Sequence, residues 1–236
     1  MTQERKVAIV TGASQGMGKG IVDALLARKY RVVGTSRSLK PSDHPNYVTV
    51  AGDIGDPATA KKVVRVALDH FGRIDSLVNN AGIFVAGDMT QTTEEQYRSV
   101  LRTNLDGFFH VTQHAVRAMR QNGGGHIVQI TATLAEYALS NVPTVLASIT
   151  KGGLNAATRG LAIELAKDNI RVNAVAPGMI WTPLHEPGTK DALAGFAPLN
   201  RVGEIDDIVK AVLYLEDASF VTGEILHVDG GMSAGH

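Results

Sequence analysis

The stretch VAIVTGASQGMG, residues 7–18, constrains the fold of this chain more than any other. Its first four residues form an unbroken apolar run, which is typical of a strand buried on both faces of a parallel sheet. Three glycines follow at Gly12, Gly16 and Gly18. The pattern predicts a tight turn from this strand into a helix that begins near Met17, because glycine permits the close backbone approaches that such a turn needs.

The same turn predicts a dinucleotide-binding site, because backbone N–H groups at a helix N-terminus can approach a pyrophosphate closely. Three glycines alone would also fit a purely structural turn. The turn, however, lies in the first strand–turn–helix unit of the chain, and further motifs follow it downstream. We therefore assign cofactor contacts to Gly12, Ser14, Gln15, Gly16, Met17 and Gly18.

The composition favours a single α/β domain. The chain has 236 residues, enough to bury a substantial core. Its 23 Lys and Arg residues balance 23 Asp and Glu residues with no basic run, so nucleic acid is not an expected partner. The absence of cysteine excludes disulfides and thiolate chemistry. The opening residues leave no room for a signal peptide and no apolar run reaches membrane-spanning length, so we expect a cytoplasmic protein without a membrane partner.

The end of the second predicted strand, residues 31–35, bears on the choice of cofactor. An NAD site usually offers a carboxylate to the adenosine ribose at this point. Here Ser36 and Arg37 supply a hydroxyl and a guanidinium, which suit a 2′-phosphate. The pattern favours NADP(H) over NAD(H), with a solvated loop arginine as the alternative.

The third and fourth predicted strands, residues 47–51 and 75–78, end in further candidate ligand-binding residues. Asp53 could contact the adenine edge or cap the helix that begins around Pro57, and the sequence favours neither. The motif NNAG at residues 79–82 suits backbone crosslinking and close approach of a ligand. We assign cofactor contacts here to Asp53, Ile54, Asn80, Ala81 and Gly82.

A long helix is predicted over residues 93–122, and Asn104 interrupts its apolar face. This amide could be a satisfied core group, or it could disturb the helix and hold a water. His110 and His114 lie one turn apart on the same helix. With no glutamate between them and no third ligand nearby, we predict no metal site.

The second half of the chain continues the alternation of strands and helices. Strands are predicted over residues 126–131, 170–176 and 224–228, and helices over residues 144–167 and 204–216. Residues 182–200 are rich in proline and glycine, which indicates a mobile segment that covers the site. This segment predicts a mainly apolar ligand of modest size, because it carries Leu184, His185, Leu193, Phe196 and Leu199.

With these segments placed, the chain resembles the short-chain dehydrogenase/reductase family over nearly all its length. The matching motifs are Thr11-Gly12 with Gly16 and Gly18, NNAG at 79–82, Asn104, Lys151-Gly152-Gly153, Arg171-Val172-Asn173, Pro177-Gly178 with Thr182, and Asp229-Gly230-Gly231. The resemblance implies one Rossmann-type α/β domain over residues 1–236, with a seven-stranded parallel sheet, helices on both faces and commonly a homotetramer or homodimer. It also implies cofactor contacts at Lys151, Pro177, Gly178, Ile180 and Thr182.

The catalytic pattern of the family is incomplete in this chain. In such enzymes a Tyr is the acid/base, a Lys four residues later lowers its pKa and holds the ribose, a Ser binds the substrate oxygen, and an Asn assists. Lys151 and Asn104 are retained, but Ala147 stands at the Tyr position and the Ser position falls at or beside Ala132. Thr131 or Thr133 could supply the hydroxyl, depending on the register, so the candidate catalytic residues are Lys151, Asn104, Thr131 and Thr133.

Alanine has no proton to give, so another donor must serve any reaction. Lys151 acting through a water in the place of the phenol ranks first; Tyr137, His185 and an ionisable group of the substrate are the other candidates. The first interpretation is an NADP(H)-dependent oxidoreductase that acts on a small carbonyl or alcohol with an atypical acid/base group. The alternative is a catalytically inactive NADP(H)-binding sensor or partner subunit. Nothing specific supports a third interpretation, a dehydratase or isomerase.

Overall fold

A computed structural model describes residues 5–183, 185 and 188–235. Seven strands form one sheet in the order β3-β2-β1-β4-β5-β6-β7, and neighbouring strands pair in parallel. This confirms the predicted doubly wound α/β architecture. The strands are β1 Val7–Thr11, β2 Arg31–Ser36, β3 Tyr47–Ala51, β4 Ser76–Asn79, β5 Gly125–Ile130, β6 Ile170–Pro177 and β7 Ile225–Val228.

Helices cover both faces of the sheet. They are α1 Gly16–Ala27, α2 Pro57–Phe71, α3 Glu94–Leu101, α4 Gly107–Gln121, α5 Val145–Leu165, α6 Lys190–Ala194 and α7 Ile205–Asp217. Helices α2, α4 and α5 share one apolar core with Val7 and Ile9 of β1, whereas α1 and α7 share the other with Ala8 and Val10. Successive side chains of a strand point to opposite faces, so the apolar run of β1 supplies both cores. Within the described residues, no helix is both long enough and apolar enough to cross a bilayer.

The long predicted helix over residues 93–122 is divided in the structure. A π-helical turn, Arg102–Asp106, separates α3 from α4 and has the buried Asn104 at its centre. Thr93 and Gln96 form a capping box at the start of α3. A π turn inserts an extra residue into the helical repeat and is frequent at functional sites, which agrees with the predicted disturbance at Asn104.

The structure excludes one of the two alternatives for Asp53, the capping of α2. Helix α2 is capped by Asp56, whose Oδ1 accepts the Ala58 N–H at 2.9 Å, with Pro57 in the first position. Asp53 accepts the Gly55 N–H at 3.0 Å and lies 3.2 Å from Arg102 Nη2. The capping alternative is wrong, because Asp53 lies one turn before α2. Its hydrogen bond to Gly55 stabilises the turn that precedes the helix.

Residues 182–200 contain the short helix α6, and Leu184 lies outside the described residues. The residues that flank the segment are joined to each other, because Trp181 N–H donates to Gly203 O at 2.7 Å. Phe196 packs beside the buried Leu134 and Ala197 in a small apolar cluster. The described part of the segment therefore lies against the turn that follows β5.

A buried polar network lies at the amino-terminal edge of the sheet. Glu216 of α7 accepts hydrogen bonds from Tyr30 at 3.0 Å and from Ser76 at 3.0 Å, and its Oε2 lies 2.8 Å from His126 Nδ1. Asn173 accepts the Glu224 N–H with its Oδ1, which turns its Nδ2 toward His126 Nε2 at 3.1 Å. His126 is therefore neutral and donates from Nδ1 to the carboxylate, in keeping with the lowering of its pKa by burial.

Candidate functional site

The glycine turn is as tight as its sequence predicts. Gly12 and Gly16 have φ values of +67° and +57°, which L side chains rarely adopt. A Cβ on Gly18 would collide with the Gly12 carbonyl oxygen, and a Cβ on Gly12 would lie 2.7 Å from Asn80 Nδ2. The turn therefore requires glycine at these positions.

The first turn of α1 is open to an anion. Gln15 precedes the helix in an extended conformation, and its side chain makes no capping hydrogen bond in the structure as described. Ser14, Gln15 and Met17 are at least partly exposed around this N-terminus. The first N–H groups of a helix need a partner and carry the positive end of its dipole, so the turn fits a pyrophosphate.

The NNAG motif ties the end of β4 to the end of β1. Asn80 Nδ2 donates to Thr11 O at 2.9 Å and to Gly12 O at 3.2 Å. The Thr11 hydroxyl accepts the N–H groups of Asn80 and Ala81 at 3.0 and 2.9 Å. The predicted crosslinking is confirmed for Asn80, whereas Asn79 donates to Thr112 on α4. Thr11 was missed as a site residue, although it directly precedes the first glycine of the turn.

The end of β2 carries two hydroxyl groups with no partner among the described residues, Thr35 Oγ1 and Ser36 Oγ, both buried. Arg37, the next residue, is exposed and forms no ion pair within the described chain. A buried hydroxyl without a partner costs about 1–3 kcal/mol, so such groups are typical of a surface that a polar ligand completes. Thr35 was not among the predicted site residues, because a threonine inside a buried strand is typical of a core position.

The end of β6 closes the site from the opposite side. Pro177 is the last residue of β6, and a Cβ on Gly178 would lie 2.7 Å from Asp229 Cα. Ile180 is buried. The side chain of Thr182 lies 3.7 Å from where a Gly16 Cβ would be. The segment after β6 therefore meets the glycine turn across the carboxyl ends of the strands.

Lys151 on α5 reaches into this edge of the sheet. Its Nζ donates to Ile130 O, at the end of β5, at 2.8 Å. A Cβ on Gly82 would lie 2.9 Å from the same nitrogen, so the lysine lies against the NNAG loop. Burial penalises the ammonium and lowers the pKa of Lys151 from 10.5 to about 8.

Asn104 holds the loop after β4 beside Lys151. Its Oδ1 accepts the Ile83 N–H at 2.9 Å, and its Nδ2 donates to Ile83 O at 3.0 Å and to Thr150 Oγ1 at 3.1 Å. The side chain is thus a satisfied core group as well as the centre of the π turn. Thr150 was missed, although it directly precedes the lysine.

The two candidate threonines after β5 are engaged elsewhere. Thr131 Oγ1 donates to Val175 O at 3.2 Å, and Thr133 Oγ1 lies 3.2 Å from Ala176 O and 3.1 Å from Asp229 Oδ2. Both residues are buried. These contacts bind the β5 turn to β6, which does not favour the predicted role of either hydroxyl as a substrate ligand.

Each of the other two candidate proton donors, Tyr137 and His185, makes a contact with a neighbouring aromatic ring. Tyr137 is 43% exposed, and its ring packs edge-on against His227 with centroids 5.8 Å apart. His185 stacks on Trp181 at 5.4 Å, and its Nδ1 lies 3.2 Å from the Thr182 N. His185 thus contacts Thr182, whose side chain lies beside Gly16 of the glycine turn.

His110 and His114 both lie on α4. The pKa of His114 is lowered by burial and by the positive charges of Arg117 and Lys61. Among the residues that the structure describes, no group of three His, Asp or Glu side chains could hold a metal ion.

A doubly wound parallel sheet with a glycine turn at the carboxyl end of β1 defines a nucleotide-binding α/β protein. A family model described as enoyl-(acyl carrier protein) reductase matches residues 12–233. The 3-oxoacyl-(acyl-carrier-protein) reductase FabG of Salmonella typhimurium is 34% identical over 243 residues, covering 98% of this chain and 99% of the relative. The chain therefore belongs to the short-chain dehydrogenase/reductase family.

Solved structures agree with this assignment. A structure named ElxO with NADP bound is 29% identical, has a TM-score of 0.91, and matches over 98% of this chain and 100% of its own. The 3-ketoacyl-(acyl-carrier-protein) reductase from Brucella melitensis, complexed with NADH, is 31% identical with a TM-score of 0.89, over 98% and 99% of the two chains. The glycine turn, the NNAG loop and Lys151 thus lie in an oxidoreductase fold.

Proposed function

We propose that this protein is an NADP(H)-dependent oxidoreductase in which Lys151, acting through a water, takes the role that a tyrosine has in its family. Its substrate is a small carbonyl compound or the corresponding alcohol. The observation that carries the proposal is the buried ammonium of Lys151, which has a pKa of about 8 and lies one helical turn beyond Ala147.

The cofactor preference rests on the end of β2. A 2′-phosphate would give the unpartnered Ser36 hydroxyl an acceptor and the exposed Arg37 guanidinium a counter-charge. The open N-terminus of α1 suits the pyrophosphate, and we assign the adenine edge to Asp53 and Ile54. Because one structural relative holds NADP and another NADH, the preference for NADP(H) depends on Ser36 and Arg37 themselves.

The proton step follows from the environment of Lys151. A bound reduced nicotinamide supplies the hydride. An ammonium with a pKa near 8 is mostly protonated at neutral pH and still loses its proton readily, which suits a general acid. Ala147 contributes only a methyl group where the family has a phenol, so we assign the freed volume to a water that passes the Lys151 proton to the substrate oxygen.

The remaining site residues position these groups. We assign Asn104 the role of fixing the loop after β4 and the Thr150 hydroxyl beside Lys151. Gly82, Pro177, Gly178, Ile180 and Thr182 are the residues that would hold the nicotinamide half of the cofactor. Residues 182–200 form the cover over the substrate in this proposal.

One observation favours a second candidate, a nucleotide-binding protein without turnover. By the family pattern, alanine stands at the Tyr position, 147, and at or beside the Ser position, 132, while the glycine turn and the NNAG loop are retained. A binder has no use for either hydroxyl. General acid catalysis contributes about 10²–10⁴-fold, so the loss of the tyrosine would slow a reductase without removing its other functions.

The test is NADPH oxidation by the purified protein with ketones, aldehydes, quinones and imines. Lys151→Ala and Ala147→Tyr are measured in parallel, and NADPH binding is followed by its fluorescence. Wild-type turnover that is lost in Lys151→Ala supports the proposal. NADPH binding without turnover, with activity only in Ala147→Tyr, would establish the binder instead.

We also propose a cytoplasmic homodimer or homotetramer assembled through the α4 and α5 helices. Large apolar side chains are exposed on these helices, at Phe109, Ile149 and Ile163. Sedimentation equilibrium tests this: Ile163→Glu, at a side chain that is 81% exposed, should weaken assembly without unfolding the chain.

A further inference from the structure

The face of α5 that carries Lys151 continues to the start of the helix. Thr144, Ala147 and Lys151 are three and four residues apart, so they lie along one side of α5. At the other end of the stripe, Lys151 Nζ reaches the end of β5. Between Lys151 and Thr144 this side of the helix holds the methyl group of Ala147 and, beside it, Ser148.

The start of α5 lies over the turn that follows β5. Ser148 Oγ lies 3.5 Å from Leu134 O, and Leu134 is two residues beyond Ala132. Thr144 thus lies at the same edge of the sheet as Ala132 and Lys151. This is the edge where both family hydroxyls are absent.

The Thr144 side chain is largely buried, and its hydroxyl makes no hydrogen bond within the described residues. Thr144 is the N-cap residue of α5, a position where threonine normally accepts a hydrogen bond from the first turn. Here the side chain makes no capping bond, and its backbone angles of φ −136° and ψ 34° depart from the usual extended cap. The residue is only 6% exposed, and its hydroxyl has no hydrogen-bond partner among the residues that the structure describes.

The neighbouring hydroxyls of α5 are not available in the same way. Ser148 Oγ lies 3.3 Å from Thr144 O, and Thr150 Oγ1 donates to Leu146 O at 2.8 Å while it accepts from Asn104. Thr158 donates to Leu154 O at 2.8 Å. Among these hydroxyls of α5 and its cap, that of Thr144 is the one without a hydrogen bond to any described residue.

We propose that the Thr144 hydroxyl binds the water that carries the proton from Lys151 to the substrate oxygen. Seven residues of helix separate the two Cα atoms by about 10 Å, so the groups act through a bridging molecule and not by direct contact. The Lys151 ammonium gives a proton to the water as the water gives one to the reduced oxygen, and solvent reprotonates the amine. Thr144 gains and loses no proton, and it is a positioning residue. This inference rests on the proposed oxidoreductase function.

The experiment compares Thr144→Val, which removes the hydroxyl at nearly constant shape, with Thr144→Ser, which retains it. Thr158→Val is the matched control, because it makes the same change seven residues beyond Lys151 at a hydroxyl bound to its own helix. For each variant, kcat at saturating carbonyl substrate, its pH profile, the NADPH dissociation constant and the melting temperature are measured.

Thr144→Val should lower kcat about tenfold, the effect of one hydrogen bond in the transition state, and leave the NADPH dissociation constant within about twofold. The decline of kcat as pH rises through about 8 should weaken, because the proton no longer passes from Lys151 through a held water. Thr144→Ser should recover most of the rate, and Thr158→Val should resemble the wild type.

Three results would overturn the inference. Unchanged turnover in Thr144→Val would show that the hydroxyl does not hold the water, while the oxidoreductase proposal would stand. A lower melting temperature and weaker NADPH binding in Thr144→Val that Thr144→Ser does not rescue would show a structural role only. If Thr144→Val does not fold, Thr144→Ala is measured against Thr144→Ser with the same criteria. If the wild type turns over no carbonyl, the proposed function fails and the inference fails with it.

Discussion

Replacement of Glu216 by glutamine should destabilise the protein at neutral pH, although it changes neither size nor shape. The carboxylate is 6% exposed and is surrounded by Tyr30, Ser76 and His126 at 2.8 to 3.0 Å. Burial by itself would raise the pKa of Glu216, but the hydrogen bonds from His126, Ser76 and Tyr30 outweigh burial and lower it. The folded protein therefore favours the charged carboxylate over a neutral group of the same shape.

The magnitude follows from the three hydrogen bonds. A glutamine oxygen in the Oε2 position can still accept from Ser76 and His126, and its amide can donate to the Tyr30 hydroxyl. Hydrogen bonds to charged groups contribute about 1.5–3 kcal/mol, and neutral ones about 0.5–1.5 kcal/mol. The weakening of three hydrogen bonds should lower the free energy of unfolding by about 3 kcal/mol. The net decrease should be about 2 kcal/mol, because glutamine avoids the desolvation of a carboxylate.

Urea unfolding at about pH 7 and at about pH 3.5 measures the effect. Because folding lowers the pKa of Glu216, its contribution is complete above the ordinary carboxyl range and is lost as pH falls toward the folded-state value. The deficit of Glu216→Gln should therefore shrink at the lower pH. Asp217→Asn is the control, because that carboxylate is 64% exposed beside Arg28 and should contribute little.

Equal stability of Glu216→Gln and the wild type at pH 7 would refute the reasoning, since the buried charge would then contribute nothing beyond a neutral acceptor. A deficit of the same size at both pH values would also refute it. That result would assign the loss to packing and not to ionisation.

Three further predictions concern the site. Above about pH 8, kcat for carbonyl reduction should fall about tenfold per pH unit, because the fraction of Lys151 that carries the ammonium proton declines. Stopped-flow or steady-state NADPH oxidation measures this dependence, and a kcat that does not change with pH would contradict it. Gly18→Ala should lower the melting temperature, because the new Cβ collides with Gly12 O, and NADPH should no longer raise that temperature. If NADPH still raised the melting temperature of the variant as much as that of the wild type, the result would argue against the tight turn. Arg37→Ala should weaken NADPH binding about tenfold and leave NADH binding unchanged, and titration calorimetry with both cofactors separates a 2′-phosphate contact from a general loss.

The sequence predicted those parts of the site that depend on neighbours along the chain. The glycine turn could be predicted because Gly12, Gly16 and Gly18 lie within seven residues and each stands where a side chain would be strained or would collide. The disturbance of the helix at Asn104 could be predicted because a polar residue interrupts an apolar pattern with a period of 3.6 residues. The cap of α2 was not settled, because Asp53 and Asp56 both precede the helix, and only the backbone path shows which of them faces its first N–H groups.

The chain by itself determined the alternation of strands and helices, the nucleotide turn and the retention of Lys151 without a tyrosine one turn earlier. The tertiary structure decided which polar groups meet. It bound Thr131 and Thr133 to β6, joined Asn104 to Thr150, and left the Thr144 hydroxyl free within the described chain. It also brought Ser76 to Glu216, which lie 140 residues apart. Periodicity and steric need are local properties that a sequence displays, whereas a hydrogen bond between distant segments depends on the packing of the whole sheet.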